Sequence, residues 1–249
     1  MSALILALVA GAVVGLALGA LGGGGSVLAV PALIYLLGFT PAAATTSSLI
    51  IVTATSLTAL YAHARAGHVR WKAGAAFAAA GLVPAALAGA ASARLPQAVL
   101  TLAFAVIAAL AAVRMLRPAG PVSAGSSTVR PGKAAGAGAG LGALTGLLGV
   151  GGGFLAVPAL VTVLAFEMPA AVGTSLLVIT TNSLASLATR SGAAASLDWA
   201  VIGPFVAAAV LGAWDGKRLA SKVSGSRLQR IFAMVLLAVA AFMLIDALT

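Results

Sequence analysis

The sequence has no cysteine, which excludes a disulfide framework and any thiolate metal site. It has four carboxylates, Glu167, Asp198, Asp215 and Asp246, and two histidines, His63 and His68. That is too little to assemble a metal cluster or a catalytic dyad, so no metal, no cofactor and no enzymatic activity are expected. All four carboxylates fall near the ends of apolar segments, whereas a proton pump or cation carrier normally keeps one at membrane depth. A coupling ion, H+ or Na+, therefore has no visible site. The two histidines flank a basic loop and read as a solvated, interfacial pair. Charged residues make up only 7% of the chain.

What fills the space is hydrophobic: 62% of 249 residues, with a mean hydropathy of +1.17. Such a composition belongs in lipid. Apolar stretches long enough, or nearly so, to cross a hydrocarbon core of about 30 Å cover residues 3–21, 41–62, 73–93, 97–116, 169–188, 199–214 and 228–248. Shorter ones cover 27–38, 136–149 and 154–166. No water at depth satisfies a peptide group, and no ten-residue alternation suggests a barrel, so these are helices. The first run has no Lys or Arg before it and is expected to stay as structure rather than act as a signal peptide.

Two of the glycine clusters interrupt the helices in the same way. "GALGGGGSVLAVPAL" from Gly19 and "GLLGVGGGFLAVPAL" from Gly146 are identical at 11 of 15 positions at an offset of 127. After one inserted residue, "PAAATTSSLI" from Pro41 lies over "PAAVGTSLLV" from Pro169, and Trp71 over Trp199. The expected organisation is an all-α polytopic membrane protein of two homologous repeats, 1–117 and 133–249, joined by a cytoplasmic Pro/Gly/Ser linker, 118–132.

Basic residues decide the orientation of the repeats. Arg65, Arg70 and Lys72 share one loop, Arg114, Arg117, Arg130 and Lys133 flank the linker, and Lys217, Arg218, Lys222, Arg227 and Arg230 share another. If the segments on either side of each glycine cluster go in and come back, all three groups lie on the cytoplasmic side, leaving Arg94 and Arg190 outside. The repeats are then inverted, each a Gly-tipped broken or re-entrant helix pair followed by three transmembrane helices, with both termini outside. Residues 27–38 as a helix reach only about 18 Å, so each glycine tip is expected to stop near the midplane. Orientation and contact with anionic lipid account for the positive excess, so nucleic acid is not implied.

A helix beginning at Ser26 or Gly153 offers unpaired N–H groups and the positive end of its dipole, a seat for an anion. The candidate binding residues are therefore Gly24, Gly25, Ser26, Gly151, Gly152 and Gly153. Pro31 and Pro158 break each short helix and permit bending. The next helix of each repeat supplies uncharged donors: Thr46 and Ser47, matched by Thr174 and Ser175, and Asn182, which has Ala54 opposite it. Each has a plainer alternative: glycines pack helices, hydroxyls bond the preceding turn, and a buried Asn bonds a neighbouring helix.

The paired GGGG-x-x-x-VPAL and GVGGG-x-x-x-VPAL motifs, each followed by Pro and then Thr-Ser on the next helix, resemble the sulfite exporter TauE/SafE family of bacterial membrane proteins. The likeness covers essentially the whole chain and places the family motifs on Gly22–Ser26 with Pro31 and Gly149–Gly153 with Pro158. It implies a secondary transporter in the bacterial cytoplasmic membrane for a small anionic substrate such as sulfite, thiosulfate, sulfoacetate or a related sulfonate. An anion channel of the same architecture, or a membrane assembly protein whose glycines only pack helices, are the alternatives.

Overall fold

The computed structural model describes residues 2–92, 96–116, 131–148, 153–188 and 198–248. These residues form α1 (Ser2–Leu21), α2 (Gly24–Pro31) continued by a π turn (Ala32–Leu36), α3 (Pro41–Arg65), α4 (Trp71–Ser92), α5 (Gln97–Leu116), α6 (Pro131–Leu148), α7 (Gly153–Thr162), α8 (Met168–Ala188), α9 (Trp199–Ala220) and α10 (Gly225–Leu248). Six of the helices, α1, α3, α4, α8, α9 and α10, are long and apolar enough to cross a membrane. The described residues are all-helical, and the chain is a multi-pass membrane protein.

Local chemistry sets several boundaries. Thr40 accepts the Ala43 N–H at 3.3 Å and Pro41 opens α3, while Asp198 accepts the Ala200 N–H at 3.1 Å ahead of α9. Both are N-cap arrangements that satisfy first-turn donors. The short helices end alike: Phe39 N–H reaches the Leu33 carbonyl and Phe166 N–H the Leu160 carbonyl, each at 3.0 Å. The residue between is left-handed in both, Gly38 at φ +69° and Ala165 at φ +53°. This is a Schellman-type stop, repeated at the 127-residue offset, with an alanine where glycine is favoured.

Two seams of small residues hold the long helices together. Gly11, Gly15 and Gly19 of α1 lie against the backbone of Phe205, Ala209 and Ala213 of α9; Gly138 and Gly142 of α6 lie against Phe77 and Gly81 of α4. Residue numbers rise together along both seams, so each pair of helices is parallel. Such close approach is how membrane helices gain packing energy without a hydrophobic drive. By sequence offset α6 corresponds to α1 and α9 to α4, so the two seams are counterparts. The other main contacts join counterparts directly, α3 to α8 and α5 to α10.

Two expectations need correction. The helix expected over 136–149 begins earlier, at Pro131 inside the expected linker, and has 18 residues. Its glycine- and alanine-rich sequence reads as weakly apolar because its face is matched to α4, not lipid. The first broken pair is also not a shallow hairpin: α1 has 20 residues, about 30 Å at 1.5 Å per residue, a full crossing length. Only the returning arm, α2 and its π turn, is short.

Candidate functional site

The first glycine tip is built from α1 outward. Gly22 N–H bonds the Leu18 carbonyl at 2.8 Å, closing α1, and Gly22 itself is left-handed at φ +73°. Gly23 leads into α2, whose first amides, from Gly24 to Ser26, have no carbonyl one turn earlier in the helix to bond. Helix start and polyglycine run coincide, two residues earlier than Ser26. A side chain at Gly22 has no room: a Cβ would lie 2.6 Å from Ser175 Oγ and 3.2 Å from a Val157 methyl. The tip of α1 thus meets α7 and the beginning of α8.

Gly25 serves a different end, since its Cβ position is blocked by Leu18 and by the Val14 carbonyl, at 2.6 Å. The missing side chain there lets α2 fold back on α1. Gly153 starts α7. Gly151 and Gly152 lie outside the described residues, as does the side chain of Ser26. Pro31 closes α2, and the chain continues as a π turn. Pro158 lies inside α7, where Thr162 Oγ1 donates to its carbonyl at 2.7 Å.

His63 Nε2 is 3.1 Å from the Gly19 carbonyl, and His63 stands two residues before α3 ends at Arg65, so the tip is level with the basic end of α3. The midplane expectation came from the length of the 27–38 stretch, which alone does not place the tip against α3.

The hydroxyls divide by role. Ser175 Oγ donates to the Val172 carbonyl at 2.8 Å and faces Gly22. Thr174 Oγ1 accepts the Arg70 N–H at 3.1 Å, tying α8 to the loop between α3 and α4. Thr46 and Ser47 are buried on α3, Ser47 completely, and Ser47 Oγ has no hydrogen-bond partner. Thr53, Thr55 and Thr181 bond carbonyls of their own preceding turns, the plain outcome for helical threonines. Thr180 Oγ1 instead donates to Ser56 Oγ at 2.9 Å and joins α8 to α3.

Asn182 presents a buried Oδ1 with no partner. It lines a cavity between α4, α6 and α8, with Thr145, Phe77 and Gly142 among its walls and room for about one water molecule. At the corresponding offset the chain has Ala54 and Leu18 in place of Asn182 and Thr145, so this polar cavity belongs to one half of the sequence only.

The histidines overturn the solvated-pair expectation. His63 is 3% exposed; its ring lies 5.7 Å from that of His68, and the Nδ1 atoms of both are buried without partners. Nothing in the sequence flags this, because the Gly19 carbonyl that holds His63 is 44 residues away.

Comparison with known proteins identifies the family. The family model described as "Sulfite exporter TauE/SafE" matches residues 7–243. Two proteins named "Probable membrane transporter protein", from Xylella fastidiosa strains 9a5c and Temecula1 / ATCC 700964, are 36% and 35% identical over 251 residues. Each alignment covers 97% of this chain and 95% of the relative. No solved structure matches.

Proposed function

The chain belongs to the sulfite exporter TauE/SafE family, and from that premise we propose that it is a secondary transporter moving a small sulfur-containing or organic oxyanion across the bacterial cytoplasmic membrane. The observation that carries the reading is the tip itself. Gly22 turns α1 out of its helix, α2 begins just beyond it at Gly24, and Ser175 lies against Gly22. A helix N-terminus draws an anion, and the Ser175 hydroxyl adds an uncharged donor when its hydrogen turns from the Val172 carbonyl to the anion. By the repeat, the start of α7 at Gly153 is the matching seat of the second half, one turn before Val157, which packs on Gly22, and Asn182 is the further polar contact.

Inversion of the two halves, 1–117 and 133–249, is part of the proposal, and the helix directions support it. α1 and α3 end together at Gly19 and His63, α4 runs back from that end after a five-residue loop spanning residues 66–70, and α6 runs parallel to α4. The counterpart of α1 therefore points the other way. Gly216 near the end of α9 lies against Leu16 and Ala20 of α1, which brings the basic group at 217–230 to the same side as Arg65, Arg70 and Lys72. By the positive-inside rule that side is cytoplasmic, with linker 118–132 there and both termini outside. Inverted repeats with discontinuous helices are a common transporter plan.

The test is flux into proteoliposomes with sulfite, thiosulfate and sulfoacetate, and choline as the cationic control. The reading predicts saturable uptake of at least one of the anions and none of choline. Non-saturating flux indicates a channel; no flux and no anion-induced thermal shift indicates a protein whose glycines only pack helices.

A further inference from the structure

His63 is held in a way that a mere packing residue does not need. Its Nε2 faces the Gly19 carbonyl at 3.1 Å, and a carbonyl only accepts, so Nε2 carries the hydrogen and Nδ1 is left as a free acceptor. That acceptor is buried and unpartnered, as is Nδ1 of His68, whose ring is tilted 51° to that of His63. The backbone fixes the pair: His68 N–H donates to the His63 carbonyl at 3.1 Å, and the His68 carbonyl packs on Gly173 of α8. Gly19 is one turn of α1 before Gly22, so the imidazole stands beside the glycine tip.

Among the described residues no carboxylate acts on His63; Glu167 lies ahead of α8, one residue before Met168. Helices α1, α2 and α8 carry no ionisable side chain. From α9, Lys217 acts on His63 with positive charge, while Asp215 is exposed and turned to Arg218 at 3.5 Å. Arg65 and Arg70 flank the loop. A proton at Nδ1 therefore lacks a counter-charge unless an anion occupies the tip. The corresponding positions of the second half are Ser191 and Ser196, so the arrangement serves one end of the molecule.

We propose that His63, backed by His68, is the proton-coupling site of the transporter: Nδ1 takes a proton from solvent as an anion seats at the first glycine tip and returns it as the anion leaves. The inference rests on the anion-transport reading above. Each ligand supplies the charge the other lacks, so anion and proton raise one another's affinity by the same factor.

The experiment is calorimetric titration of the purified full chain with thiosulfate, which has no titrating proton near neutral pH, in buffers of different ionisation enthalpy. Wild-type protein is expected to take up protons on binding, and His63→Gln, which keeps a donor for Gly19 but cannot titrate, to bind without uptake. His68→Gln leaves the Gly19 bond in place and is expected to move the pH at which uptake is half-maximal, a readout that stands even if His63→Gln does not fold. Binding without proton uptake in wild type, equal uptake in His63→Gln, or an unchanged pH profile in His68→Gln overturns the inference and leaves the transport reading standing. Failure of sulfite, thiosulfate and sulfoacetate all to bind removes both.

Discussion

Ala165 and Gly22 show how single residues report on the fold. Ala165 takes the left-handed cap that Gly38 takes in the first half, and an L-residue there costs about 1–2 kcal/mol. Ala165→Gly is expected to stabilise the protein by about 1 kcal/mol, seen as a higher Tm in detergent, and Ala165→Val to lower it. At Gly22 both the positive φ and the 2.6 Å approach to Ser175 Oγ oppose any side chain. Gly22→Ala is expected to destabilise by at least about 1–2 kcal/mol and to abolish anion flux in proteoliposomes. Asn182→Leu breaks no hydrogen bond to Oδ1, so its Tm should stay near wild type while flux falls at least about tenfold, the cost of a lost bond to a charged ligand. Wild-type flux in this variant would make Asn182 a structural residue. The glycine motif and the Thr-Ser pairs were legible as text because they recur at fixed offsets. The buried His63 was not, since its partner is a carbonyl, a group every residue has.

Among elements, the glycine seams separate packing from mere composition. Gly142 meets the Gly81 backbone, whereas Gly140, on the same helix, has nothing within 4 Å of its Cβ position. Gly142→Leu is expected to cost well over about 1–3 kcal/mol, the usual price of overpacking, and to yield little folded protein by size-exclusion chromatography. Gly140→Leu should be tolerated or slightly stabilising, since glycine is a poor helix residue. Most helices could be read from apolar length, and α3, α5 and α8 begin within one residue of expectation. The exceptions have a physical cause. α6 hides from a hydropathy reading because its small residues contact α4 in place of lipid, and the 27–38 stretch, expected as one helix, takes a π form after Pro31 that no apolar pattern encodes.

For the whole molecule, the absence of cysteine makes orientation directly measurable. Ser126→Cys in the linker is expected to react with an impermeant thiol reagent only from the cytoplasmic side, and Thr249→Cys only from outside; the reverse pattern would invert the proposed topology. The repeat and the proposed sidedness of its basic loops come from sequence, but the level of the first tip relative to α3 does not. That level depends on which helices lie side by side, and Gly19 meets His63 only once α1 and α3 are assembled. The anion reading now concerns a seat near one end of the bundle, walled by α7 and α8. The most direct measurement is the affinity for thiosulfate or sulfite of Ser175→Ala, a change that removes the hydroxyl facing Gly22 and leaves the backbone untouched. Wild-type protein is expected to bind saturably and Ser175→Ala at least about tenfold more weakly, as befits a lost hydrogen bond to a charged ligand; equal affinity in a folded Ser175→Ala protein would contradict an anion seat at the glycine tip.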